Sequence, residues 1–369
     1  QLFAFSGLTS PDPIYIHFFK NPLLKKWSKT YANVWINSSA KSSAEFCSTF
    51  LKSGKGLKNN STHINILTVL MITCNLMGGL GNQLFQIFTT ISYAIHNQQA
   101  FVFLHTDKLG TGSTTIRPTY WNNFLSTLKL FVKKELPAIE CMLKESGYDY
   151  DELPPINEIF PSSISANGNN SLILFGFFQS YKYFDKYKNN INRLIRLETQ
   201  KDSVKPYMPM NPLNLTSMHF RFGDYKNNTH MYVLLTHTYY KNCIAFIQEK
   251  LKIKEINILY FCEDHDLEDV LPIINQLSWD FPTVHFEQVV SGIPDYTQML
   301  MMSVCNHNII ANSTFSWWGA YFNTNEDKIV CYPDSWFKAT DKATDKDGSV
   351  NTDNAKDLCL PTWNKIPVI

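Results

Sequence analysis

Apolar residues along this chain fall in short runs, and the stretches between those runs space their apolar positions three and four apart. The first run, Ile64 to Thr73 ("INILTVLMIT"), is about half the roughly 20 residues that a bilayer helix needs and reads as a buried strand. "NLMGGLGNQLFQ", Asn75 to Gln86, follows it, and Leu84, Ile87, Phe88, Ile91 and Ile95 then recur at helical spacing. The prediction is a strand, a glycine turn and a helix. Further short apolar or alternating runs predict strands within Leu172–Ser180, Leu215–Phe222, Ile256–Phe261, Thr283–Val290, His307–Ala311 and Lys328–Pro333. Helices are predicted at Leu267–Leu277 and Tyr296–Cys305, the second opened by Asp295 and Gln298 at capping-box spacing. Strands alternating with helices make this an α/β chain with mostly parallel sheets.

Residues 1–62, rich in Ser, Lys and Asn, show no clear pattern and read as a leader or extra segment. The polar, proline-containing stretch Thr199–Pro212 ("TQKDSVKPYMPMNP") is the best boundary, dividing the remainder into domains at 63–205 and 206–369. Two domains also suit a length of 369 residues. Lys338–Asp357 reads as a polar surface loop. With 33 Lys and Arg against 32 Asp and Glu, no global field draws the chain to nucleic acid or anionic lipid. The eight cysteines are dispersed without a C-x-x-C pair, so free buried thiols are expected and a structural metal site is not. The chain begins at Gln1 rather than Met, which leaves the compartment open: cytoplasmic, or associated with the Golgi membrane through an anchor outside the given chain.

Three constellations carry candidate chemistry. In the first, Gly79 and Gly81 lack the third glycine of the dinucleotide fingerprint, since Leu84 stands in its place, which disfavours a dehydrogenase. Either these glycines make a tight turn without ligand, or they let a phosphate or sugar approach backbone N–H groups at a helix start. Asn82 and Gln83, two amides at that turn, tilt the reading toward a ligand. The second is "HFRFGDY", His219 to Tyr225, at a predicted strand end, where open α/β sheets bind ligands. Arg221 there offers a planar fork for a diphosphate, and Asp224 is a carboxylate within reach of the same pocket as a base. The third is "CNHNIIANSTFSWWGAYF", Cys305 to Phe322, in which Asn312, Ser313 and Thr314 present capping oxygens and N–H groups at the start of an aromatic helix. Trp317, Trp318 and Tyr321 read as core, with one ring at most left for a base or sugar.

Together the motifs "MGGLGNQLFQ", "GFFQSYKYF", "HFRFGDY", "YYKNCI" and "CNHNIIANSTFSWWGAY" resemble, in order, those of the α-1,2-fucosyltransferases of glycosyltransferase family 11, over about residues 68 to 335. The resemblance implies a GT-B-like fold of two Rossmann-like domains facing a cleft, the first on the acceptor side and the second binding GDP-fucose. It implies transfer of L-fucose from GDP-β-L-fucose to the 2-hydroxyl of a β-galactoside, inverting and without a metal or other cofactor. His219, Arg221, Gly79, Gly81, Gln83, Glu263, Asp264, Asn312, Ser313 and Thr314 are then the expected donor contacts. Arg221 and the helix start at Ser313 and Thr314 stabilise the leaving GDP, Asn82 orients the donor, and Asp224 is the expected base.

"CEDHD" contains Asp264 and Asp266 as D-x-D, a manganese motif in other glycosyltransferases. Here the expectation is instead that Glu263 or Asp264 accepts from guanine or ribose and that Asp266 caps the following helix. Two alternatives stand beside this reading: an inactive glycan-binding relative, left open by Phe222 where the family often has a second arginine, and a transferase of another nucleotide sugar.

Overall fold

A computed structural model describes residues 70–110, 116–147, 149–160, 171–209, 214–338 and 357–369. The 1–62 segment, the front of the Ile64–Thr73 run and most of the Lys338–Asp357 stretch lie outside the described residues. The first run ends in β1 (Met71–Cys74), from which the chain turns into α1 (Leu80–His96). β1 is flanked in parallel by β2 (Ala100–Phe101) and β4 (Ser171–Phe175), and β3 (Ile139–Lys144) pairs in parallel beyond β4. β3 lies at the sheet edge with its residues exposed or half-buried, and its mixed sequence, Ile-Glu-Cys-Met-Leu-Lys, shows no clean run or alternation.

Two short helices, α2 (Lys188–Leu194) and α3 (Leu197–Ser203), lead out of this lobe. The front of the polar boundary stretch is therefore helical, and the second sheet begins at β5 (Leu215–His219). β6 (Ile256–Phe261), β7 (Val284–Gln288), β8 (His307–Ile309), β9 (Val330–Pro333) and β10 (Asn364–Ile366) join it, all parallel, in the spatial order β7-β6-β5-β8-β9-β10. Counted in chain order this is 3-2-1-4-5-6, the doubly wound arrangement, and its direction reverses between β5 and β8. The intervening helices are α4 (His237–Leu251), α5 (Leu267–Asp280), α6 (Asp295–Ser303) and α7 (Thr314–Phe322). Two parallel α/β lobes, the second with Rossmann order, form the GT-B-like architecture.

The helix α1 has no exposed face along most of its length: Leu84, Phe85, Ile87, Phe88 and Ile91 are fully buried, and so are Gln83, Gln86, Thr89 and Thr90. A helix enclosed on all sides lies inside a protein rather than on it. One side meets the first sheet, and the other meets α7 of the second lobe. There Phe85 lies 4.5 Å from Trp317 and Phe88 4.6 Å from Trp318, ring centroid to centroid. One continuous core thus runs through both lobes. A second core, with Met218, Phe220, Tyr239, Tyr240 and Val270, fills the space between the second sheet and α4 and α5. A large apolar seam resists the hinge motion that two domains would otherwise show.

Local signals differ from expectation at α6. Pro294 is its N-cap, Asp295 Oδ1 accepts from the N–H of Tyr296, and Gln298 reaches back to the carbonyl of Ile293, so no capping box forms. Trp317 and Trp318 are fully buried and Tyr321 is nearly so, with its hydroxyl donating to Asp185; none of these rings is left for a ligand. Among the described residues all seven cysteines are free thiols.

Candidate active site

The turn after β1 depends on Gly78, whose φ of +77° a side chain would strain, and where a Cβ would come within 2.5 Å of Asn82 Nδ2. Gln86 braces the turn, accepting from the N–H of Met77 at 2.8 Å and donating to its carbonyl. Gly79 is the N-cap of α1 at φ −77°, with nothing within 4 Å of the Cβ it lacks. Gly81 differs: a Cβ there would lie 2.5 Å from the backbone carbon of Thr314. Protein backbone of the second lobe fills the space that a sugar or phosphate was expected to occupy, which corrects the reading of Gly81 as a donor contact. Trp318 Nε1 adds a bond to the Gly81 carbonyl at 2.9 Å.

The helix begins at Leu80, so Asn82 sits inside its first turn rather than opening it. Its Oδ1 accepts from Thr314 Oγ1 at 2.8 Å and from Gln179 Nε2 at 3.1 Å, joining the two lobes. Gln83 is wholly buried and donates to the carbonyls of Gly78 at 3.0 Å and Pro118 at 2.8 Å. That corrects its expected role: it has no surface for a donor and braces the turn from behind.

The turn after β5 is charged. Its Gly223 has a φ of +34°, and the wholly buried Asp266 carboxylate accepts from the N–H groups of Phe222 at 3.3 Å and Gly223 at 2.8 Å. Asp266 therefore fixes this turn and makes no side-chain cap for α5, against expectation. Held this way, Arg221 donates through Nη1 to Glu263 and through Nη2 to Asp224 Oδ1, and its guanidinium lies 5.1 Å from the Tyr225 ring centroid. Burial opposes its charge, but Glu263 and Asp224 hold its pKa above the ordinary value. Asp224 Oδ2 meets a second guanidinium, Arg117 Nη2 at 3.2 Å, so both oxygens of the expected base are engaged. Phe222 points into the second core.

At the reversal point between β5 and β8, His219 ends its strand with the ring 5.4 Å from Phe315. Burial, with Arg221 adding to it, pushes its pKa down to about 3, so the imidazole is neutral; its Nδ1 has no partner among the described residues. Across from it, the wholly buried Asn312 donates through Nδ2 to the carbonyls of Val233 at 2.9 Å and Trp336 at 3.0 Å, and its backbone carbonyl accepts from the Tyr225 hydroxyl. Its side chain holds loops together instead of facing a donor, which corrects that expectation. Ser313 caps α7, its Oγ accepting from the N–H of Phe315 at 3.4 Å, and Thr314 is the residue that meets Asn82.

Glu263 bonds Arg221 and lies 3.1 Å from His265, and Asp264 accepts from Ser291 at 2.6 Å, so both acids already have protein partners. Glu263, His265 and Asp266 lie close enough for one ion to touch all three. Asp266, though, is spent on the turn and Glu263 on Arg221.

The sequence reading missed Arg117, Gln179 and Glu145. Glu145 accepts from the N–H groups of Phe177 and Phe178, against the face where Gly176 lacks a Cβ, and burial raises its pKa. Only the G-F-F-Q-S motif hinted at this corner. Arg117 carries no motif at all. Two hollows lie elsewhere: one of about 420 Å³, lined by Lys201, Asn306, Asn323 and Thr324 near the amino end of β8, and one of about 490 Å³, lined by Asn192, Arg196, Glu198 and Thr324. Ligands of such sheets sit at the other end.

The contacts of Asn82 with Thr314 and of Arg117 with Asp224 bring the strand ends of both lobes together, with two guanidiniums and a helix start at one place. The model of the family Glycosyl transferase family 11 matches residues 38–350. The chain belongs to glycosyltransferase family 11. Among curated relatives, the Escherichia coli "Alpha-1,2-colitosyltransferase" is 25% identical over 80% of this chain and 99% of its own length. The Escherichia coli "O-antigen biosynthesis glycosyltransferase WbnK" is 29% identical, with 74% and 97% covered. A Caenorhabditis elegans "Galactoside 2-alpha-L-fucosyltransferase" is 24% identical, with 80% and 79% covered. A solved structure of an Arabidopsis thaliana FUT1 mutant in complex with GDP aligns over 84% of this chain and 78% of its own, at 11% identity and a TM-score of 0.41. As a family 11 member, the protein is a glycosyltransferase. Among the described residues no helix is long and apolar enough to cross a membrane.

Proposed function

We propose that this glycosyltransferase moves L-fucose from GDP-β-L-fucose to the 2-hydroxyl of a β-galactoside with inversion. The observation that carries the reading is the placement of Arg221 at the reversal point of a 3-2-1-4-5-6 sheet, where an anionic leaving group would meet its guanidinium. The diphosphate takes Arg221 from Asp224, the neutral His219 offers a ring nitrogen to the donor, and the freed Asp224 accepts the proton of the acceptor hydroxyl. Asn82 orients the donor from the opposite lobe, and Gly79, with open space beside its Cα, lets the sugar approach. Ser313 and Thr314 contribute the helix start. Glu263 and Asp264 keep their proposed part at guanine or ribose by exchanging their present partners for the nucleotide.

Metal is not part of this proposal, and activity in EDTA tests it: loss in EDTA with rescue by manganese would place an ion at Glu263, His265 and Asp266. A second reading is favoured by the colitosyltransferase among the relatives, namely transfer of a related deoxy sugar from the same class of nucleotide. The deciding experiment is a donor screen with GDP-fucose, a GDP-colitose, GDP-mannose and UDP-galactose against a lactose-type acceptor, read by mass. A fucosylated product with the linkage at the 2-hydroxyl supports the first reading. Binding of the glycan with no product from any donor would favour an inactive glycan-binding protein.

A further inference from the structure

Arg117 belongs to the first lobe by chain position. It lies in a two-residue strand, Arg117–Pro118, paired antiparallel with Lys108–Leu109. Its side chain nevertheless ends on the second lobe, with Nη2 3.2 Å from Asp224 Oδ2, while Arg221 donates to Oδ1 of the same carboxylate. One carboxylate bridges two guanidiniums that arrive from opposite lobes.

The bridge is positioned with care at its base and held loosely at its tip. Pro118 accepts from Gln83 of α1, Thr119 Oγ1 donates to Thr106, and the Tyr120 hydroxyl donates to Asp295 at the start of α6, so the backbone behind Arg117 is tied to both lobes. The side chains of Arg117 and Asp224, by contrast, are 32% and 44% exposed. An ion pair that exposed contributes little, and a stronger acceptor displaces it. Charge completes the argument. Arg221 is already shared between Glu263 and Asp224, so alone it brings one positive charge to a ligand that carries at least two negative ones. A phosphoryl group, like a carboxylate, presents paired oxygens to guanidinium forks.

We propose that Arg117 is a donor-binding residue: a second guanidinium, supplied by the first lobe, that with Arg221 grips the diphosphate of the nucleotide sugar where the Asp224 carboxylate now sits. The inference rests on the nucleotide-diphosphate donor reading above. It adds an order to the reaction. Both oxygens of Asp224 are occupied until the diphosphate takes over the two guanidiniums, and the carboxylate, displaced from between them, is free to turn toward the acceptor hydroxyl only when donor is bound.

Calorimetric titration of GDP, GMP and guanosine into the purified wild type, Arg117→Gln, Arg117→Lys and Tyr120→Phe tests it. Arg117→Gln should weaken GDP about tenfold or more and GMP less, leave guanosine unchanged, and be partly rescued in Arg117→Lys. Tyr120→Phe cuts the neighbouring bond between the lobes but keeps the cation, and its GDP affinity should stay near that of wild type. If wild type binds GDP and Arg117→Gln binds it equally well, this inference alone falls. If wild type binds no GDP, the donor reading beneath it falls as well. Equal losses for GDP and guanosine in Arg117→Gln, or the same loss in Tyr120→Phe, would make Arg117 a tie between lobes and overturn the proposal.

Discussion

Two turns in this molecule leave the carboxyl end of a central parallel strand through a glycine at positive φ, Gly78 after β1 and Gly223 after β5. They are built from opposite materials. The first is braced by neutral amides, with Gln83 and Gln86 wholly buried and Asn82 bonded across to Thr314. The second is held by a buried carboxylate, Asp266, and carries Arg221 and Asp224 partly in solvent, with Glu263 from the end of β6 paired to Arg221. Amides cost less to bury than charges and still satisfy backbone groups, which suits a turn lodged against another lobe. Charges need water or partners that a ligand can replace, which suits a turn that binds one. Similar chain geometry therefore serves mainly as a joint in one place, with Gly79 and Asn82 at its edge toward the proposed donor, and as a charged proposed binding site in the other.

The largest expected effect separates these roles. Arg221→Ala should cut transfer by about 10²- to 10³-fold, roughly 3–4 kcal/mol of transition-state stabilisation, while the melting temperature moves by only a few degrees. A steady-state assay with a melting curve on the same sample checks both, and near-full activity would remove Arg221 from the site. At the other turn Gly81→Ala should do the reverse. It improves local helix propensity, yet its Cβ would meet Thr314 backbone at 2.5 Å, so about 1–3 kcal/mol of stability should be lost in denaturant titration. A Gly81→Ala protein as stable as wild type would mean that the seam can open freely.

Asp266→Asn should destabilise by about 1.5–3 kcal/mol, because the N–H groups of Phe222 and Gly223 lose a charged acceptor. The same variant should raise the KM for donor, since Arg221 sits on the turn that Asp266 fixes. The effect expected of His219 is absent at neutral pH and grows as pH falls. Its pKa near 3 lies below the unfolded value near 6.5, so both states are neutral above that value. As pH falls from about 6.5 toward 3, only the unfolded state gains the proton, and stability should drop by up to about 1.4 kcal/mol per pH unit. In His219→Gln that decline should be shallower, as urea titrations at pH 7, 6 and 5 would show. Smallest of all, Gly79→Ala should leave stability unchanged, because nothing lies within 4 Å of the added Cβ and φ is −77°.

Legibility followed the range of the forces. The strand at Ile256–Phe261 matches its apolar run in full, since a central parallel strand buried on both faces is apolar at nearly every position, here all but the half-buried Asn257. The strands β5, β8 and β9 came out within a few residues for the same reason. At the site, chain order was enough to gather His219, Arg221 and Asp224, because they follow one strand. It was not enough to show which amides brace and which side chains face a ligand. Gln83 and Asn82 are neighbours in sequence, yet one points back to Pro118 and the other across to Thr314, a distinction made by helix rotation against packed partners.

What the sequence determined by itself was the alternation of strands and helices, the glycine turns and the ordered motifs, all of which depend on residues near one another in the chain. Only the tertiary structure decided that Gly81 lacks a side chain for the sake of Thr314, that Trp317 and Trp318 close a core shared by both lobes, and that Arg117 meets Asp224 across 107 positions of sequence. Such pairings cost loop-closure entropy that no local pattern records, and they exist because burying α1 between the first sheet and α7 more than repays it.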